Sequence, residues 1–150
     1  MKLAEALILR SDLQTRLEQL RQRMIANARV QEGEQPSEDP QELLKELDGI
    51  TTKLEEMITR INLTNAKTVV DGVTLTEMLA KRESLMQKIS VTRSLLDAAS
   101  NVVMRGSRTE VKILSAVPVA ELRKETDHLA EKLRKLDTNI QSLNWTTELL

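Results

Sequence analysis

His128 is the single histidine of the chain, with Glu125 three residues before it and Glu131 three residues after. On a helix that spacing puts carboxylate and imidazole on one flank, the local pattern that supplies ligands inside di-metal helix bundles. The pattern is incomplete. A di-metal site needs two such pairs and two further carboxylates, so a second copy of the chain would have to complete it at a subunit interface. The helical phase also puts Thr126 and Leu129 on the apolar seam, which leaves Glu125 and His128 on a solvated flank.

A second cluster is basic. Arg105, Arg108 and Lys112 surround Gly106 and Ser107 and have the charge to hold an anion or a phosphate. No glycine-rich phosphate loop ending in Lys-Ser or Lys-Thr accompanies them, and basic loop residues are ordinarily solvated. Trp145 is the one aromatic residue and offers no stacking platform for single-stranded nucleic acid. Cysteine is absent, which removes disulfides, thiolate metal sites and cysteine nucleophiles and fits a cytoplasmic protein. No serine sits in a nucleophile motif, and no cofactor motif is present. Enzymatic activity is therefore the less favoured reading, with an interface-assembled site as its remaining route.

The elements that would position these residues are helices. Leu43, Leu47, Ile50, Leu54, Met57 and Ile61 repeat at four, three, four, three and four residues, a narrow seam down one helix. The spacing predicts four helices over about 2–29, 40–65, 75–104 and 118–143, packed as an antiparallel, coiled-coil-like bundle within one domain of residues 1–150. Asp39-Pro40 with Glu42 opens the second helix as an N-cap acceptor followed by a proline in the first turn. Thr74 and Glu77 form a capping box for the third. The third seam is read as Leu75, Leu79, Arg82, Met86, Ile89, Leu96, Ala99 and Val103, and the fourth as Leu122, Thr126, Leu129, Leu133, Leu136, Ile140 and Leu143.

Between the second and third helices, β-branched residues flank Asp71-Gly72, a strong hairpin signal. A small hairpin is expected over about 68–75, and a strand over about 110–117 would make it a three-stranded sheet.

Charge is uneven although the net is −1. Residues 1–30 hold six basic against three acidic side chains, and residues 31–66 hold three against nine, which predicts attraction between the first two helices. Arg10 fills a slot on the first seam and needs a partner. Leu3, Leu7, Ile8 and Ile25 make the ends of the first helix apolar over more of its circumference than one neighbour covers, which points to an oligomer interface. No apolar run is long enough for a membrane-spanning helix, and the opening residues lack a signal-peptide pattern. Contact of an amphipathic face with a membrane stays open.

The opening Met1-Lys2-Leu3-Ala4-Glu5-Ala6-Leu7, the stretch Val30-Gln31-Glu32-Gly33-Glu34 with Glu38-Asp39-Pro40, Arg60-Ile61-Asn62 with Asn65, and Gln141 with Asn144-Trp145-Thr146-Thr147 carry a resemblance. On these residues the chain resembles the septicolysin-like family of small bacterial proteins. The resemblance implies a mostly helical homo-oligomer, a hexamer among the expected states, with no established biochemical role and no catalytic residues to carry over. The family name implies a cytolysin, while the chain lacks the cysteine of a thiol-activated toxin. Three functions follow as expectations: a self-associating scaffold or interaction protein, a membrane-active cytolysin-like protein, and a metal- or small-ligand-binding protein with its site at a subunit interface.

Overall fold

In a computed structural model of the protein, which describes residues 1–101 and 113–150, four long helices and one hairpin account for the regular structure. The helices are α1 (Leu3–Ala26), α2 (Pro40–Lys67), α3 (Leu75–Ser100) and α4 (Val119–Thr146). Strands β1 (Val69–Val70) and β2 (Val73–Thr74) lie between α2 and α3. The protein is mainly α, and α2, at 28 residues, is about 42 Å long at 1.5 Å per residue.

The helix ends follow local chemistry. The Asp39 carboxylate accepts from the Gln41 backbone N–H at 2.9 Å, and Pro40 stands in the first turn, so α2 begins where its cap predicts. Alpha-1 stops short of the expected end. There the Asn27 amide donates to the Arg23 carbonyl at 2.9 Å and its oxygen accepts from the Glu38 backbone N–H at 2.9 Å, closing the helix and holding the returning chain. The end of α2 is similar, with the Thr68 N–H and hydroxyl both on the Thr64 carbonyl before β-branched residues enter β1.

Beta-1 and β2 pair antiparallel with Val69 opposite Thr74 and Val70 opposite Val73. Asp71 at φ 52° and Gly72 at φ 79° make the two-residue turn left-handed at both positions, as the right-handed twist of a tight hairpin demands. The expected third strand does not form in its described part. Over residues 113–117 the chain is non-regular. The Ser115 hydroxyl donates to the Val117 carbonyl at 2.8 Å and accepts from the Val117 N–H, a local turn that competes with strand pairing before Pro118, which has no N–H to give. Residues 110–112 lie outside the described residues.

By contacts the chain divides into two compact units, Met1–Thr74 with Ser142–Leu150, and Leu75–Gln141. In the first unit α1 and α2 run antiparallel. Arg23 near the end of α1 meets Glu46 near the start of α2, while the Leu3 N–H at the other end donates to Thr147 and the Leu150 N–H donates to the Thr64 hydroxyl of α2. Leu13 and Leu20 of α1 form one buried cluster with Leu43, Ile50 and Leu54 of α2, and Leu9, Leu17, Met24 and Leu47 pack against it. The aliphatic seam read from the sequence is the core of this unit.

In the second unit the Arg82 guanidinium donates to Asp137 at 3.2 Å, and the end of α3 meets the segment before α4 across a shared cleft, so α3 and α4 also run antiparallel. Leu75, Met78, Ile89 and Leu96 are buried on α3, with Thr126, Leu129 and Ile140 on α4. One seam position is corrected: Leu85 is half-buried, whereas Met86 is 48% exposed. The stripe therefore passes through Met78, Arg82, Leu85 and Ile89 at intervals of four, three and four, one residue out of phase with the expected Met86.

Candidate functional site

The residues expected to bind metal lie on one helix and stay apart from other ligands. Glu125 and His128 are exposed on α4, flanking buried Thr126 and Leu129, so the seam takes its phase from the aliphatic residues. Glu131 is half-buried and its carboxylate accepts from Lys135 at 2.7 Å, one turn along. That hydrogen bond holds the Glu131 carboxyl below the usual carboxylate range. Among the described residues no group of three or more His, Asp or Glu side chains has the arrangement to hold a metal. Arg105, Arg108 and Lys112, the expected anion site, lie outside the described residues.

The expected oligomer residues divide. Leu3 is fully buried, which removes it from any subunit interface. It is covered by its own chain: its N–H donates to the Thr147 carbonyl at 2.9 Å, and the Leu149 N–H donates to the Met1 carbonyl at 2.9 Å, a short antiparallel pairing of the two chain ends. Leu7 is half-buried, while Ile8 and Ile25 are 61% and 64% exposed.

Two polar constellations define unit 1 more sharply than the expected sites do. At one end the Arg23 guanidinium donates to Glu38 at 2.6 Å through Nη2 and to Glu46 at 3.1 Å through Nη1. The uneven charge of the two helices foreshadows this pairing. Hydrogen bonding to Glu38 drives the Arg23 pKa further above its usual value, and the same bond holds the Glu38 carboxyl below its own. Beside it the α1–α2 connection encloses an open cleft of 440 Å³ lined by Asn27, Arg29, Gln31, Glu34, Gln35 and Ser37, among others. The lining mixes one cation, one carboxylate and neutral amides and selects no single ligand charge.

At the other end the Glu148 carboxylate accepts from Lys2 Nζ at 2.6 Å and from the Met1 ammonium at 3.2 Å, which lowers its pKa. Arg60 Nε donates to the Leu150 carbonyl at 2.7 Å. The contact partners here are up to 147 residues apart in the chain, beyond the reach of any spacing rule.

Glu38, Glu131 and Glu148 share one linkage sign. A carboxyl whose pKa is lower in the folded chain than in the unfolded one adds stability above the unfolded value and loses it as pH falls through the folded value. The melting temperature is expected to hold from neutral pH to about 5 and to fall progressively below the ordinary glutamate value of 4.5. All three groups are solvent-accessible, so the drop should be modest and flatten in high salt. Thermal melts between pH 3 and 7, at low and high salt, check it.

Arg10 keeps its seam position on α1, half-buried, with its Nε buried and unpartnered among the described residues. Arg82 has the same feature on α3, although its Nη1 reaches Asp137. At the end of α3 a cleft of 260 Å³ is lined mainly by Leu95, Ala98, Ala99, Ile113, Leu114 and Val117, with Ile113 and Leu114 69% and 79% exposed. No described helix is long and apolar enough to cross a membrane.

Residues 10–149 match the model of a family described as of unknown function. Among solved structures the chain is similar to the crystal structure of a functionally unknown conserved protein from Corynebacterium diphtheriae. The two share 41% identity and a TM-score of 0.93, over 100% of this chain and 99% of that one. No curated protein matches.

Proposed function

Since the chain belongs to the family of unknown function DUF6847, we propose that it is a self-associating helical scaffold or interaction protein of the cytoplasm. Its work is done by helix faces and not by a catalytic centre. The observation that carries this reading is the set of aliphatic side chains the chain leaves open: Ile8, Ile25 and Val91 are 61%, 64% and 71% exposed. A single exposed aliphatic is ordinary, so the weight rests on exposure of this size combined with the three-four spacing of the helices, the spacing by which one helix packs on another. The resemblance to septicolysin-like proteins makes a hexamer the first subunit number to test. Static light scattering at micromolar concentration is expected to give a mass several times the 17.0 kDa chain. A monomer throughout that range would overturn the proposal.

A membrane-active role is the second reading, favoured by the apolar cleft at the end of α3 with Ile113 and Leu114 on its rim. Such a protein would act from the bilayer surface through an amphipathic face. Dye release from anionic liposomes is its test, and intact vesicles at high protein-to-lipid ratio would remove it. A metal site built from Glu125, His128 and Glu131 would require the same residues from a second copy.

A further inference from the structure

Beside its buried seam, α2 carries a second stripe: Leu44, Asp48, Thr51, Glu55 and Ile58, spaced four, three, four and three residues apart. All five are exposed, Leu44 by 43% and Ile58 by 40%. Alpha-3 carries a matching one. Lys81, Ser84, Lys88, Val91 and Leu95 follow at three, four, three and four residues, and all are exposed, Val91 by 71% and Leu95 by 45%.

The two stripes are complements. Asp48, Thr51, Glu55 and Ile58 match Lys81, Ser84, Lys88 and Val91 at one constant offset of 33 residues. Laid parallel, acid meets lysine twice, hydroxyl meets hydroxyl and aliphatic meets aliphatic. Neighbouring charges on these helices are already used within the chain: Glu42 with Lys45, Glu46 with Arg23, Glu56 with Arg60 and Arg82 with Asp137. Among the described residues Asp48, Glu55, Lys81 and Lys88 have no ion-pair partner within the chain.

We propose that the Asp48–Glu55 stripe of α2 docks on the Lys81–Lys88 stripe of α3 in a second copy of the chain. This rests on the self-association proposed above and gives it a surface. The occupant is another copy because the complementary sequence is in this chain, in matching register and sign. Each copy offers both surfaces, so two copies can exchange them about a two-fold axis, or successive copies can pass them on in a closed ring or an open filament. Opposite charges set the register, and Ile58 against Val91 supplies apolar area.

The test is a pair of charge reversals on the full chain, Asp48→Lys with Glu55→Lys in one protein and Lys81→Glu with Lys88→Glu in another. Both sets lie on exposed positions, and far-UV circular dichroism with a thermal melt is expected to match the parent. Each variant alone is expected to lose association by an order of magnitude or more in sedimentation velocity, since like charges then face each other. An equimolar mixture of the two is expected to recover the parent's sedimentation coefficient, because the acidic α2 of one then meets the basic α3 of the other. Recovery of that kind requires these two surfaces to be partners. If the parent associates and both variants associate equally well, or the mixture fails to recover, this docking surface is wrong while self-association stands. If the parent is itself a monomer, both proposals fall.

Discussion

Leu54→Asp is expected to lower the stability of the folded chain by on the order of 4 kcal/mol. Leu54 is 8% exposed and belongs to the cluster of Leu13, Leu20, Leu43 and Ile50 that joins α1 to α2. Two contributions add there. Removing the isobutyl group forfeits its burial and leaves a cavity between helices that cannot easily close, because both are pinned at their ends by Arg23 and by the chain termini. The carboxylate then sits among aliphatic side chains with no cation within the cluster, so it must either stay charged in an apolar site or take a proton. Urea denaturation followed by circular dichroism measures the loss. Leu63→Gln, at a position 49% exposed on the same helix, is the matched control and should stay within about 0.5 kcal/mol of the parent. Equal midpoints for Leu54→Asp and the parent would mean that the seam is misassigned.

The α2 seam was legible in the sequence because periodicity and burial report the same thing. Of its six positions, Leu43, Ile50, Leu54, Met57 and Ile61 are buried and Leu47 is half-buried. Capping at Asp39 and the Asp71-Gly72 turn were legible for a related reason: both are local, so the residues that make them stand within a few positions of each other. The phase of α3 was harder. Leu85 and Met86 are adjacent and both apolar, so either continues a three-four repeat, and only burial in the folded chain separates half-buried Leu85 from exposed Met86. Arg82 compounds this, because its partner Asp137 is 55 residues away and nothing near it in sequence announces the pair.

The expected sites were less legible than the expected helices. The Glu125–His128 spacing satisfies one helix, but a metal needs ligands from several, and spacing along one chain segment carries no information about the others. The helical phase gave the better guide, since it put Thr126 and Leu129 inward and Glu125 and His128 outward, as observed. For Leu3 the failure has a different origin. An apolar residue at the start of a helix looks exposed until the far end of the chain is brought to it, and backbone pairing leaves no trace in side-chain pattern.

That pairing predicts the second large effect, from a chain that stops after Thr146. Four hydrogen bonds that tie the tail to the α1–α2 pair disappear together: Leu3 N–H to Thr147, Leu149 N–H to Met1, Leu150 N–H to the Thr64 hydroxyl and Arg60 Nε to Leu150. At about 1 kcal/mol net for each, the loss is about 4 kcal/mol before any newly exposed apolar surface is counted. Leu3 is fully buried and Thr64 is 1% exposed, so removing their cover opens apolar area and leaves a hydroxyl without one of its two partners. The ion pairs of Glu148 with Lys2 and the Met1 ammonium lie in solvent and are expected to matter little, so Glu148→Gln alone should barely move the melting temperature. Hydrogen exchange separates the two changes. The truncated chain should lose protection in the first turns of α1 and the last turns of α2, whereas the Leu13–Leu20 and Leu43–Leu54 amides, at the other end of the helix pair, should keep theirs. Uniform loss of protection along α1 would mean that the ends are coupled to the whole pair and not confined to their own turns.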